Sequence, residues 1–258
     1  MSIVIRGVRK AYVSRRQERL ALDRVDLDIA QGEFVAFVGP SGCGKSTLMN
    51  MIAGILPITE GSILHHGTPV RGINRNVGYM TQADAVLPWR TARQNVELPL
   101  RLRGVGRAER LRKADEMLEA VGLTGFGHAF PSELSGGMRK RVALAQLLAY
   151  GPDTLLMDEP FGALDAQLKL LMQAQLLRIW EERRQTVVFV THDLSEAVTL
   201  AQRVVVFSGR PGRIKSIEMI DNPAPRDVFK VRFLPAFEQA YTRLWNALAP
   251  EIQEENAA

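Results

Sequence analysis

The stretch Gly39-Pro-Ser-Gly-Cys-Gly-Lys-Ser-Thr47 restricts what this chain can fold into more than any other part of its sequence. It satisfies G-x-x-x-x-G-K-[ST] in full. It sits between an apolar run, Phe34–Val38, and a run of helical character, Ser46–Ile55. A strand that ends in a glycine loop and then starts a helix makes a phosphate cradle. Without Cβ atoms at Gly39, Gly42 and Gly44 the backbone can wrap an anion, and the helix N-terminus aims N–H groups at it. Lys45 supplies a point charge for the β/γ oxygens of a triphosphate, and Ser46 a hydroxyl for Mg²⁺.

The surroundings of the loop set the fold class. Phe34–Val38 is apolar at every position, as a strand buried on both faces must be. Val25–Pro40 reads as two strands broken at the turn dipeptide Gln31-Gly32. Gly61–Val70 reads as a hairpin, and Arg75–Gln82 contains a further short strand. Asp153–Pro160 and Gln185–Asp193 are buried strands with a helix, Ala166–Arg184, between them. That βαβ order implies a parallel sheet. Between Ala83 and Tyr150 the pattern turns helical, with Leu111, Ala114, Met117, Leu118 and Val121 on one face. The expected fold is therefore α/β: a P-loop NTPase core with a mostly parallel sheet, an N-terminal antiparallel β portion and a helical subdomain inserted over about 83–150. This domain spans 1–221. The remainder, 222–258, is a proline-marked linker and an amphipathic helix with Leu234, Phe237, Tyr241, Leu244, Trp245 and Leu248 on one face. That helix packs on the body or serves a partner.

Further chemistry clusters at strand ends, where parallel sheets collect ligands. Asp158 ends an apolar strand and can reach Mg²⁺ through its water shell. Glu159 follows directly and is directed elsewhere, which suits a general base or a water-positioning group. Gln82 can bond Mg²⁺ or the attacking water through its amide oxygen. His192, at another strand end, can touch a γ-phosphate. His65-His66 is adjacent in a turn, a poor chelating geometry. Ser135-Gly136-Gly137 then offers a second anion cradle ahead of a helix. Why one domain carries two such cradles is a question that spacing alone does not answer.

Composition excludes several classes. No apolar run approaches the roughly 18 residues that span a bilayer, and no long apolar segment marks a secretory signal in Met1–Tyr12. A single cysteine, Cys43, allows no intrachain disulfide and fits a reducing compartment. The net charge of +5 permits an acidic partner without naming one. The basic stretches Arg101–Lys113 and Arg139–Arg141 lack the interleaved aromatics that stack on bases, and read as solvated helix faces.

Taken in order, GPSGCGKST, Gln82, Leu134-Ser-Gly-Gly-Met138, LLMDEP, Ala163-Leu-Asp165 and His192 resemble the ATPase subunit of an ABC transporter, over residues 3–215. Met138 stands where Gln is commoner in the family. The resemblance implies ATP and Mg²⁺ as ligands, with Gly39, Pro40, Ser41, Gly42, Cys43, Gly44, Lys45, Ser46 and Thr47 holding the nucleotide and Tyr12 stacking on adenine. Between Tyr12 and the loop, Ser14–Ala21 is slightly longer than usual. Ser46, Gln82 and Asp158 would hold the metal. Two subunits would pair head to tail, each ATP lying between the P-loop of one chain and Leu134–Met138 of the other, which answers the two-cradle question. Asp165 would communicate between the sites. Gln82–Leu100 and Phe207–Ile214 further resemble the nitrate/sulfonate/taurine importer branch; subunits importing thiamine or pyrimidine-like precursors look similar. The implied partners are a second copy of the chain, integral membrane permease subunits and, indirectly, a solute-binding protein, with no nucleic acid. The implied place is peripheral, on the cytoplasmic face of the inner membrane. A soluble ABC-type ATPase acting on nucleic acid or ribosomes is the competing reading; one complete motif set in one short chain without a heptad insert counts against it. Intact Lys45, Asp158, Glu159 and His192 count against a regulator without turnover. Leu87-Pro88-Trp89, following Gln82, forms a permease docking surface or a local core contact. Alkylation of Cys43 is expected to block nucleotide binding.

Overall fold

The continuous apolar run Phe34–Val38 becomes a strand because both of its faces are covered. In the computed structural model, which describes residues 1–14, 17–83, 86–222 and 226–257, the strands are Ile3–Ser14 (β1), Gln17–Ile29 (β2), Phe34–Val38 (β3), Glu60–His65 (β4), Thr68–Pro69 (β5), Val77–Met80 (β6), Thr154–Asp158 (β7), Thr186–Val190 (β8), Arg203–Phe207 (β9) and Ile214–Met219 (β10). β3 lies inside a six-stranded sheet of order β10-β9-β3-β8-β7-β6, parallel except for β10. Its alternate residues serve two cores. Phe34, Ala36 and Val38 join the helical side; Val35 and Phe37 join the side covered by a second sheet. No polar face remains, so the period-2 pattern vanishes.

The second sheet is four-stranded and antiparallel, β2-β1-β4-β5. β2 starts at Gln17, well before Val25 where its apolar pattern becomes visible, because its first half pairs with β1 in a hairpin (Tyr12 opposite Arg19) rather than burying a face. The parts of Ser14–Ala21, Gln82–Leu100 and the linker that fall on residues 15–16, 84–85 and 223–225 lie outside the described residues. His65, expected to be no chelator, is a core residue. Its Nε2 lies 3.0 Å from Thr154 Oγ1, and burial depresses its pKa to about 4.

The helices are Lys45–Ile52 (α1), Ala92–Leu102 (α2), Arg107–Ala120 (α3), Gly136–Tyr150 (α4), Ala166–Arg183 (α5), Leu194–Leu200 (α6) and Pro235–Ala257 (α7). α2, α3 and α4 pack on one another between β6 and β7 in sequence, although these two strands are neighbours in the sheet. Local chemistry fixes their ends. Thr91 and Gln94 form a capping box on α2, Ser135 caps α4 through Met138 N–H, and Gly151 closes α4 at φ 58°. α7 packs on α6 through an apolar stripe that includes Phe237, Ala240, Leu244 and Leu248. Tyr241 and Trp245, expected on the same face, stay partly exposed. The strand ends carrying Gln82, Asp158 and His192 therefore stand side by side along one edge of the six-stranded sheet.

Candidate functional site

The P-loop adopts the backbone that its glycines permit. Gly42 and Gly44 lie at φ 68° and 103°, conformations that side chains resist. A Cβ on Gly44 would lie 2.6 Å from Leu22 Cδ2. The loop forms one wall of a cavity of about 860 Å³, lined by Gly39, Ser41, Gly42, Gly44, Lys45, Ser46 and Thr47. Lys45 Nζ donates to the carbonyls of Gly39 and Pro40, each at 2.8 Å.

Cys43 departs from expectation. Its thiol is turned into the core, 1% exposed, where a Cβ on Gly39 would approach the sulfur to 3.1 Å. Alkylation in phosphate space is therefore not the behaviour that this geometry supports; only the Cys43 backbone can serve an anion. The thiol belongs to the core cluster that includes Phe37, Leu48 and Phe207, residues brought under the loop by the packing of the sheet.

Asp158 ends β7 at 3% exposure. Burial raises its carboxyl pKa, against the pull of the Ser46 hydroxyl that donates to it. Its Oδ1 has no hydrogen-bond partner. A buried carboxylate oxygen left unpaired beside a hydroxyl is an oxygen donor set that suits a hard divalent cation such as Mg²⁺. Glu159 has φ 50°, a left-handed backbone that non-glycine residues rarely take. Such conformations persist where the surrounding structure enforces them; here Glu159 N–H donates to Val190 C=O at 2.9 Å, extending the β7–β8 ladder. The carboxylate accepts from Gln82 Nε2 at 3.2 Å and lies 3.5 Å from His192 Nδ1. Gln82, Glu159 and His192 all line the same cavity as the P-loop. The Gln82 backbone carbonyl in turn accepts from Lys140 of α4.

Tyr12 also reaches this cavity, its hydroxyl 3.5 Å from Thr47 Oγ1. Two cations that the sequence did not single out join it: Arg19, opposite Tyr12 in the hairpin, and Arg210. Arg210 lies in Phe207–Ile214, a segment whose resemblance to the importer branch gave no sign that it would reach this cavity.

The second cradle lies elsewhere. None of Leu134, Ser135, Gly136, Gly137 and Met138 lines the P-loop cavity. Leu134 is buried and Ser135 is exposed at the start of α4. Gly137 packs on the loop before α5: a Cβ there would meet Leu164 Cδ2 at 3.2 Å and Ala163 O at 3.3 Å. Asp165 caps α5 by accepting from Leu168 N–H at 3.0 Å. At the tip of Leu87-Pro88-Trp89, Trp89 is 71% exposed.

Comparison with known proteins places these features in a family. A family model described as ABC transporter matches residues 22–162. A nitrate import ATP-binding protein of a Synechocystis species is 41% identical over 263 aligned residues, which cover 100% of this chain and 99% of the relative. A taurine import ATP-binding protein of Rhizobium johnstonii is 50% identical over 194 residues, 75% of this chain and 74% of its own length. Among solved structures, the dimeric post-hydrolysis state of an ATP-binding cassette bound to ADP and Pi matches with a TM-score of 0.78 at 33% identity, over 84% of this chain and 98% of that one.

Proposed function

Since the chain belongs to the ABC transporter family, we propose that it drives import of a small anion, of the nitrate, taurine or sulfonate class, through a membrane permease. The chain is an ATPase; what is proposed is the work its hydrolysis does and the residues that perform it. The import reading draws on relatives named for nitrate and taurine import. No described helix is long and apolar enough to cross a membrane, so the passage for the anion belongs to partner chains, and this subunit docks on them from the cytoplasmic face.

The catalytic reading is carried by Glu159, whose carboxylate stands between the Gln82 amide and the His192 ring in the cavity that the P-loop lines. Lys45 and the loop N–H groups bind the phosphates, and Tyr12 offers a ring to the base. Ser46 and Asp158 would hold Mg²⁺, which supplies charge neutralisation on the phosphate oxygens when bound. Glu159 orients a water in line with the γ-phosphorus and accepts its proton as the water oxygen bonds to phosphorus and the β–γ bridging bond breaks to leave ADP. His192 holds the γ-phosphate and registers its loss.

A second copy completes the site. Ser135 and the first residues of α4 do not line their own chain's nucleotide cavity, which suits them to cap the γ-phosphate of a partner's ATP. The solved cassette with ADP and Pi is dimeric, which supports this pairing. ATP then glues two subunits together and hydrolysis releases them, a cycle that Gln82 and the neighbouring Trp89 segment can pass to a permease.

The test is uptake of labelled nitrate, taurine and an alkanesulfonate by cells lacking the gene. Loss of one of the three, restored by the wild-type chain and not by Glu159→Gln, is expected. Unchanged uptake of all three would overturn the substrate class.

A further inference from the structure

The segment Gly209–Gly212, the turn from β9 to β10, is fitted against the P-loop rather than left in solvent. Gly212 is packed so closely on it that a Cβ would sit 1.8 Å from the Cys43 carbonyl oxygen. Gly212 N–H donates to Ala21 C=O at 2.9 Å, and Asp23 N–H donates back to Gly212 C=O at 3.0 Å. Arg210 Nε donates to Gly42 C=O at 2.7 Å. Its guanidinium lies across Gly42 so tightly that a Cβ on that glycine would be 2.6 Å from Nη2. Both Arg210 and Pro211 line the nucleotide cavity beside Tyr12 and Gly42. Arg210 makes no hydrogen bond through Nη1 or Nη2 among the described residues.

The far end of the turn is held by the C-terminal helix. Glu251 Oε2 accepts from Gly209 N–H at 2.7 Å, and Oε1 accepts from Lys215 Nζ at 2.6 Å. The Lys215 ammonium and the Gly209 N–H hold the Glu251 carboxyl below the usual carboxylate range, so at neutral pH the anchor is charged. A continuous set of contacts thus runs from α7 through Gly209 and Arg210 to the carbonyl of Gly42.

We propose that Arg210 is a nucleotide-binding residue: tied to Gly42 through Nε, it donates its terminal amino groups to phosphate oxygens of the bound nucleotide, and Glu251 of α7 sets its position. This rests on the reading of the P-loop cavity as the ATP site. The chemistry favours arginine. A planar fork can keep one edge on a carbonyl while the other meets phosphate, which the point charge of lysine cannot do. Among the described residues, Glu159 is the one acid lining that cavity, against Arg19, Lys45 and Arg210, so a polyanion entering it is drawn by the three cations together.

The experiment is equilibrium dialysis of the full-length chain with radiolabelled Mg-ADP, which removes turnover from the measurement. Arg210→Ala and Arg210→Gln should each weaken binding about 10-fold, while Arg210→Lys, which keeps a charge but not the fork that spans carbonyl and phosphate, should weaken it about 3-fold. Glu251→Ala should weaken binding about 3-fold when Arg210 is present and add nothing in the Arg210→Ala background. Wild-type affinity in Arg210→Gln would show that the tether to Gly42 alone matters, and would overturn the phosphate contact. Should Arg210→Ala fail to fold, the contrast between Gln and Lys decides. Lys45→Ala separates the two readings: if it binds as wild type, the nucleotide cavity itself is misassigned. If it loses binding while the Arg210 variants keep theirs, only this proposal falls.

Discussion

Asp158 sets the chemistry of its site against the stability of its fold. Burial raises its pKa and the adjacent Glu159 adds to the effect, against the Ser46 hydroxyl, Lys45 and Lys140. A carboxyl whose folded pKa exceeds its unfolded value favours the fold below the unfolded carboxylate range and loses that advantage as pH rises through the folded pKa. At neutral pH the ionised group is therefore a cost, which a bound cation would offset. Asp158→Asn removes the charge and can keep the Ser46 hydrogen bond. We expect it to raise the nucleotide-free melting temperature at pH 7.5 by about 2 °C, on the order of 1 kcal/mol. The gain should shrink toward pH 4, and Mg²⁺-dependent hydrolysis should fall by about 100-fold or more. Calorimetry across pH checks the sign: a lower melting temperature for the variant at pH 7.5 would contradict it. Residue identity made Asp158 legible in the sequence, at a strand end beside Glu159. Its unpaired Oδ1 was not, because the hydroxyl beside it comes from a helix more than a hundred residues earlier.

At the scale of elements, the entry to α2 is the informative one. Asn95 is 0% exposed. Its Oδ1 accepts from Leu87 N–H at 2.7 Å, and its Nδ2 donates to the carbonyls of Leu87, Arg90 and Thr91 at 3.2, 3.0 and 3.0 Å. One amide thus holds residues 87–91 as a rigid turn and presents Trp89 to solvent. A large exposed aromatic on a rigid support is the form of a docking contact. Trp89→Ala should leave melting temperature and nucleotide affinity unchanged, since surface substitutions shift stability by about 0.5 kcal/mol or less, yet abolish uptake in cells. Asn95→Ala strands several buried backbone groups and should cost about 2–3 kcal/mol. A large stability loss in Trp89→Ala would restore the local-packing reading. The apolar run Leu87-Pro88-Trp89 left both readings open in the sequence, because burial is set by what α2 and its neighbours leave uncovered. Asn95 gave no signal, as an asparagine one turn into a helix usually marks a polar face.

For the whole molecule, the two phosphate cradles make a prediction about complementation. In a heterodimer with Lys45→Ala in one subunit and Ser135→Arg in the other, both lesions fall in one composite site and the second site stays whole. With both lesions in one subunit, each site is damaged once. Head-to-tail pairing therefore predicts more closed dimer from the split arrangement. ATP trapped in a Glu159→Gln background, where slow hydrolysis holds the dimer together, is the measurement. More trapping when both lesions share a chain would mean that each chain's loops serve its own nucleotide. The separation of Leu134–Met138 from the P-loop cavity within one chain is what makes the two arrangements distinguishable.

What the sequence determined by itself is local. The strand–loop–helix at Gly39–Thr47, the βαβ unit around Asp158 and His192, and the capped start of α4 at Ser135 are all written in short windows. Glycine freedom, capping hydroxyls and unbroken apolar runs act over a few residues. The tertiary structure alone decided which strand ends meet. Gln82, Glu159 and His192 come together because β6, β7 and β8 are adjacent in the sheet, an order set by burying both sheet faces and not by spacing along the chain. The same non-local packing turned the Cys43 thiol inward and left Trp89 outside. It also laid Arg210 across Gly42, a contact between residues 168 positions apart. Such contacts form only once the intervening core has ordered the backbone on both sides, so no pattern in either segment could announce them.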